Sequence, residues 1–132
     1  MSIAAAPGTA AGLRVAIVTT SFPRNPGDFA GHFVARLAEA LVERGHAIEV
    51  IAPHAAGLPD EEEWPVPGAP GLSLRVRRFH YAPQMLELVA YGDGIPSNLR
   101  RNPLALLALP GFAVALRRAT RRASKGVDVV HA

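Results

Sequence analysis

Leu13–Val34 reads LRVAIVTTSFPRNPGDFAGHFV, and this stretch decides the fold class. Leu13–Val18 is β-branched and almost wholly apolar, the composition of a strand covered on both faces. A loop of small residues, Pro and Gly follows, then a helix with Asp28 as its expected N-cap. Phe29, Phe33, Leu37 and Leu41 recur every four residues and predict the apolar stripe of that helix, widened by Val34 and Ala38. Arg36, Glu39 and Glu43 then fall on its outer face. Arg44 closes the last turn, and Gly45 suits the C′ position. Ala47–Ala52 (AIEVIA) is a second strand. Strand, helix and strand in succession make a right-handed parallel crossover. The loop after Val18 therefore lies where open α/β sheets hold ligands, outside the carboxyl end of a strand.

Downstream, Pro53 ends the second strand. Residues 53–71 are rich in Pro and Gly and carry the acidic run Asp60-Glu61-Glu62-Glu63, which predicts a long surface loop. Leu72, Leu74 and Val76 alternate with Ser73, Arg75 and Arg77, so Leu72–Phe79 reads as a half-exposed strand that fits a sheet edge. Met85–Ala90 is compatible with one or two helical turns, and Tyr91–Pro96 with a loop. Asn102-Pro103 is a helix start, N-cap then Pro at N1. Pro110-Gly111 is expected to kink or split that helix. Its second half runs through Phe112, Leu116 and Ala119 to Arg117, Arg118, Arg121, Arg122 and Lys125, whose charge complements the macrodipole. Gly126 terminates it, and Val127–His131 is the last strand. No internal repeat is present.

The chain has 132 residues and no cysteine. That bounds it to one domain or part of one, and it excludes disulfides and thiolate metal sites. Residues 1–12 are small and lack a positive n-region; they read as a disordered leader rather than a signal peptide. The longest apolar run, Leu104–Leu116, is broken by Pro110-Gly111 and falls short of the ~20 residues that a membrane span needs. Net charge is +3, but residues 1–74 carry −4 and residues 75–132 carry +7. The asymmetry points to a basic face toward an anionic partner (a phosphate-bearing substrate, a membrane surface or nucleic acid) or equally to a solvated face.

Gly27 and Gly31 flank the turn into the first helix, where backbone N–H groups and the helix N-terminus favour a phosphate. The pattern is not G-x-G-x-x-G, and no acidic residue ends the second strand, which argues against a dinucleotide site. A phosphate loop of the NTPase type is excluded as well. No two histidines stand at metal-ligand spacing, so neither a metal nor a cofactor is expected. His46, in a helix-to-strand turn, reads as structural. His54 and His80 sit at strand ends without a visible partner. His32 and His131 lie on the ligand side of the sheet, although by itself each reads as a solvated or core-bridging imidazole. No Ser/His/Asp set or carboxylate pair can be assembled, so no catalytic residue is assigned.

Taken together, Arg14–Pro23 (RVAIVTTSFP), the Gly27/Gly31 loop, Leu37-Ala38-Glu39-Ala40-Leu41, Glu43–Pro53 (ERGHAIEVIAP) and Asp128–Ala132 (DVVHA) resemble the N-terminal domain of family 4 (group 1) glycosyltransferases. The R-G-H segment is widespread among GT-B proteins; its combination with S-F-P and D-V-V-H-A is more specific. The resemblance spans Leu13 to the chain end. It implies a retaining enzyme of the GT-B architecture, with two Rossmann-like domains facing a cleft. The expected fold class is thus α/β, a Rossmann-like parallel sheet with flanking helices. Residues 13–132 would form a partial, acceptor-side N-terminal half of the GT-B fold.

The resemblance also implies roles. Gly31 matches the second glycine of a pair whose backbone N–H groups meet the donor diphosphate, with Ala30 in place of the first. Thr20, Ser21, Pro23, His32 and His131 would border the acceptor, His131 as the first histidine of an H-x-H pattern. The family's next strand and its donor-binding C-terminal domain are not in this sequence, so a fragment inactive on its own is expected. Implied partners are a nucleotide-sugar donor and a glycan or lipid-linked acceptor, in cell-envelope polysaccharide biosynthesis in the cytoplasm, at the inner face of the membrane. A second reading is a peripheral membrane or interaction module. There, residues 103–125 lie on an anionic bilayer through Arg117, Arg118, Arg121 and Arg122. A receiver-like domain is disfavoured because Val18-Thr19-Thr20 offers no acid, and nucleic acid is not an expected partner. A sheet that stops at His131 leaves apolar surface uncovered, so the isolated chain is expected to be marginally stable or self-associating.

Overall fold

The structure, a computed structural model, describes residues 12–25, 28, 31–81, 100 and 109–132. In chain order the elements are β1 (Arg14–Val18), α1 (His32–Glu43), β2 (Ala47–Pro53), β3 (Glu61–Pro65), β4 (Ser73–Phe79), α2 (Leu109–Ser124) and β5 (Val129–His131). They form one sheet in the order β3-β4-β2-β1-β5. The β4, β2, β1 and β5 strands run parallel, and β3 pairs antiparallel with β4. The expected α/β class with a parallel sheet and flanking helices is what the chain adopts.

Alternation along β1 builds two cores. Val15 and Ile17 join Val34, Ala35, Ala38, Val42, Ile48, Val50, Leu74 and Val76 on the α1 side. Ala16 and Ile51 meet Ala123 on the α2 side, with Val18, Phe79 and Ala119 packed against them. A strand buried on both faces reads as a continuous apolar run, as β1 does.

Three expectations need correction. First, α1 starts at His32 with Gly31 as N-cap, not at Asp28. The Asp28 carboxylate is instead engaged by Arg24, through the backbone N–H at 2.9 Å and Nε at 2.7 Å. Second, the buried face of α1 is Val34, Ala35, Ala38, Glu39 and Val42. Phe33 is 77% exposed and Leu37 40%; Phe29 lies outside the described residues. Ala35 and Ala38 are small enough to let the helix settle on the sheet. Glu39 is tolerated inside because the Trp64 indole N–H donates to its carboxylate at 3.0 Å, which offsets the desolvation of the charge. Third, residues 53–71 are not simply a loop, because Glu61–Pro65 is β3. Its register sets Glu61 across from Arg77 and Glu63 across from Arg75. Opposite charges facing each other stabilise such a pair, and Trp64 turns inward to close on Phe22, ring centroids 5.0 Å apart. Covered by β3, β4 is an interior strand, although its alternating burial is as the sequence suggests.

Gly45, at φ 91°, ends α1. Its N–H donates to Val42 O and that of His46 to Leu41 O, the paired bonds of a Schellman motif. His46 is structural: its Nδ1 accepts the Leu13 N–H at 3.1 Å. Asp128 fastens β5 to β1, since its N–H donates to Arg14 O at 2.7 Å and its carboxylate accepts the Arg14 N–H at 2.8 Å. The expected helix start at Asn102-Pro103, the readings at Met85–Ala90 and Tyr91–Pro96, and almost all of the leader lie outside the described residues. Gly111, near the described beginning of α2, passes so close to Tyr81 that a Cβ would stand 2.4 Å from the Tyr81 carbonyl oxygen.

Candidate functional site

The strand order locates the site. From β1 the chain crosses to β2 on one side through α1, and β5 joins β1 on the other side after α2. The connections diverge at the carboxyl ends of β1 and β5, which opens the crevice where doubly wound sheets bind ligands. His131, paired in register with Ile17, ends β5 there, and Thr19, Thr20 and Ser21 leave β1 beside it.

The first residues of the β1–α1 connection, Thr19–Pro23, are held by hydrogen bonds and packing. Thr19 N–H continues the ladder to Ile51 O at 3.0 Å. Thr19 Oγ1 donates to Ser21 O at 2.8 Å and accepts the Ser21 N–H at 3.2 Å. Phe22 and Pro23 are fully buried. Arg78 of β4, whose side chain has no exposure, donates to Pro23 O at 2.9 Å and pairs with Glu62 at 3.1 Å. Its guanidinium also lies 5.9 Å from the centre of the Phe22 ring.

Gly31 closes the loop. At φ 69°, ψ 17° it holds the left-handed conformation that glycine adopts without steric cost. It also lies against the chain, where a Cβ would stand 2.4 Å from Ser21 O. Glycine is thus required twice, by conformation and by space. Among the described residues no side chain caps α1, and no acidic residue occupies its first turn, where the helix dipole favours negative charge.

The expected site residues separate. Gly31 lies against Ser21, and His131 ends β5 in register with Ile17, at the same end of the sheet from which Thr20 and Ser21 leave β1. Pro23 is buried beneath the groove that His32 borders. His32 opens α1 on the side of β3, where Arg36 Nε donates to its Nε2 at 3.3 Å. There it borders a groove of about 450 Å³ with Arg24, Arg36, Glu39 and Trp64. Arg117, Arg118, Arg121 and Arg122 are all exposed on α2. Only Arg118 and Arg122, one turn apart, face a cavity of about 710 Å³ that His80, Tyr81 and Val114 also line. Beside it Tyr81 meets Phe79 and Phe112 edge to face, and those two rings are tilted against each other, centroids 4.9–6.5 Å apart.

One cluster at this edge of the sheet was not legible as such. His54, Asp60 and His80 come together at the ends of β2 and β4. Each histidine directly follows a strand, and Pro53 pairs with Phe79, so the next residues are neighbours. The signal was present in the two strand ends, but reading it required the order of strands in the sheet. The hydrogen bond from His80 holds the Asp60 carboxyl below its ordinary value of 3.8.

The family model described as Glycosyltransferase Family 4 matches residues 30–132, a span that holds α1, α2 and every strand after β1. No curated protein and no solved structure matches the chain.

Proposed function

The chain belongs to glycosyltransferase family 4, and we propose that it forms the acceptor-side half of a transferase that moves a sugar from a nucleotide-diphosphate donor to an acceptor hydroxyl with retention of configuration. One observation supports this reading beyond the family match: the connections diverge at β1 and β5, and α1 follows β1 with the left-handed Gly31 as its N-cap.

In this proposal the backbone N–H groups following Gly31, with the dipole of α1, stabilise charge that develops on the departing diphosphate. Such preorganised donors act most strongly in the transition state, when the negative charge is greatest. Thr20, Ser21 and His131 orient the acceptor hydroxyl from the other side of the crevice, so the chain contributes positioning. His32, set toward β3, would touch only the outer part of an extended acceptor. Arg118 and Arg122 offer charge to an anionic group on that acceptor, be it a glycan or a lipid-linked saccharide. A second domain supplies most of the nucleotide-sugar site, and residues 1–132 alone do not turn over.

Amide chemical shifts of the labelled chain, recorded with UDP and then GDP, test the site. The expected result is weak, saturable perturbation centred on Thr20, Ser21, Gly31 and His131. Perturbations confined to the 450 Å³ groove or to α2 would overturn the assignment of the crevice. Sugar transfer by this chain alone, from a nucleotide sugar to a glycan acceptor, would overturn the proposed need for a second domain.

A further inference from the structure

The cluster at the ends of β2 and β4 has the chemistry of a cation site. His80 turns Nε2 to the Asp60 carboxylate, while His54 turns its Nε2 to the Leu58 carbonyl with the same carboxylate nearby. Asp60 Oδ1 lies 2.7 Å from Nε2 of His80 and 3.8 Å from Nε2 of His54. One ligand atom from each residue lies within 4.8 Å of the other two. The rings sit 3.8 Å apart, tilted by 33°. Ligands held 2.0–2.2 Å from a tetrahedral zinc ion stand about 3.3 Å apart, so the two measured separations straddle the spacing that zinc requires.

The scaffold beneath is already ordered. His54 N–H donates to Phe79 O at 2.9 Å, and Arg78 N–H donates to Asp60 O at 2.7 Å. Backbone bonds thus hold the peptide of each of these two ligands against β4, and His80 is the residue after that strand. His54 is buried, whereas Asp60 and His80 are exposed and leave a path for an ion. Two imidazoles and a carboxylate are the donors of many zinc centres that keep a position for water.

We propose that Nε2 of His54, Nε2 of His80 and the Asp60 carboxylate bind a zinc ion in exchange for the hydrogen bond from His54 Nε2 to the Leu58 carbonyl, with water in the fourth position. That carbonyl lies 2.8 Å from His54 Nε2. Zinc takes the lone pair of each Nε2; a proton on either nitrogen passes to Nδ1 of the same ring or to solvent. The ion ties the loop that follows β2 to the end of β4 and stiffens the sheet edge beside the crevice. It does not depend on the function proposed above.

Titration of the untagged, EDTA-treated chain with Zn²⁺ in a calorimeter tests the site, with Co²⁺ as a spectroscopic probe. Expected are one ion per chain, visible absorption of four-coordinate cobalt, and a rise in Tm with Zn²⁺. His80→Ala and Asp60→Asn alter exposed side chains, so their folds, checked by circular dichroism, are expected to persist. Each is expected to weaken zinc by at least about tenfold, whereas His131→Ala leaves it unchanged. Affinity unchanged in both His80→Ala and Asp60→Asn, or no four-coordinate cobalt spectrum in the unaltered chain, would overturn the proposal.

Discussion

Arg78 shows how one side chain can set the shape of a loop remote in sequence. It rises from an interior strand, its side chain has no exposed surface, and its Nη2 donates to both Pro23 O and Glu62. Arg78→Ala removes a buried cation and leaves the Pro23 carbonyl short of a donor. The expected loss is about 2–4 kcal/mol of unfolding free energy in urea titration, with the largest amide shifts at Ser21 and Phe22. A loss below about 0.5 kcal/mol would show that the loop is held by Phe22 packing alone. At Asp60 the effect is electrostatic. Bonded to His80, the carboxyl of the metal-free chain is expected to titrate below 3.8, and His80→Ala to move it upward, followed by carbon-13 shifts of the carboxyl. A carboxyl whose pKa is lowered on folding stabilises the fold above its unfolded value. That contribution fades as pH falls through the folded pKa. Because Asp60 is exposed, solvent screening keeps the contribution small.

Among the elements, α1 carries the clearest lesson. Its sequence offers two apolar stripes. The one with the bulkier residues, Phe33 and Leu37, is exposed, and the one with Ala35, Ala38 and Val42 is buried. Helical periodicity shows that a stripe exists, but the space above the sheet decides which stripe fits it. Phe33→Ala is therefore expected to change stability by no more than about 0.5 kcal/mol, whereas Ala38→Leu overpacks the core and costs about 1–3 kcal/mol. Equal costs in denaturant titration would reinstate the bulkier stripe. The β3 strand failed to show in sequence for a related reason. An acidic run has poor strand propensity alone, and it becomes a strand only because Arg75 and Arg77 face it across the ladder. The same pairing absorbs part of the basic excess of residues 75–132, so that asymmetry is in part an internal matter. What remains outward is the basic face of α2.

In the molecule as a whole, the β1 neighbours lie on opposite sides and helices α1 and α2 on opposite faces of the sheet. The β5 edge is thinly covered: Val129 is 42% exposed and Val130 38%, on a strand of three residues. Such an edge invites pairing. Sedimentation velocity is expected to show concentration-dependent association that Val130→Lys diminishes; a monomer at all concentrations would contradict this. The crevice was legible early because it follows from the β1–α1–β2 unit, whose periodicities, caps and glycines are local. Gly31 and His131 were named through the family resemblance, while the surroundings of Pro23 and His32 came only with the fold, because a loop's path depends on what it packs against. By itself, the sequence determined the parallel crossover, the Gly45 helix stop and the alternation of β4, since each is a preference of residues for the backbone beneath them. Only the tertiary structure decided which face of α1 is buried, that β3 exists, and that His54, Asp60 and His80 meet. Those outcomes turn on pairings between distant segments, whose register and order no local pattern encodes.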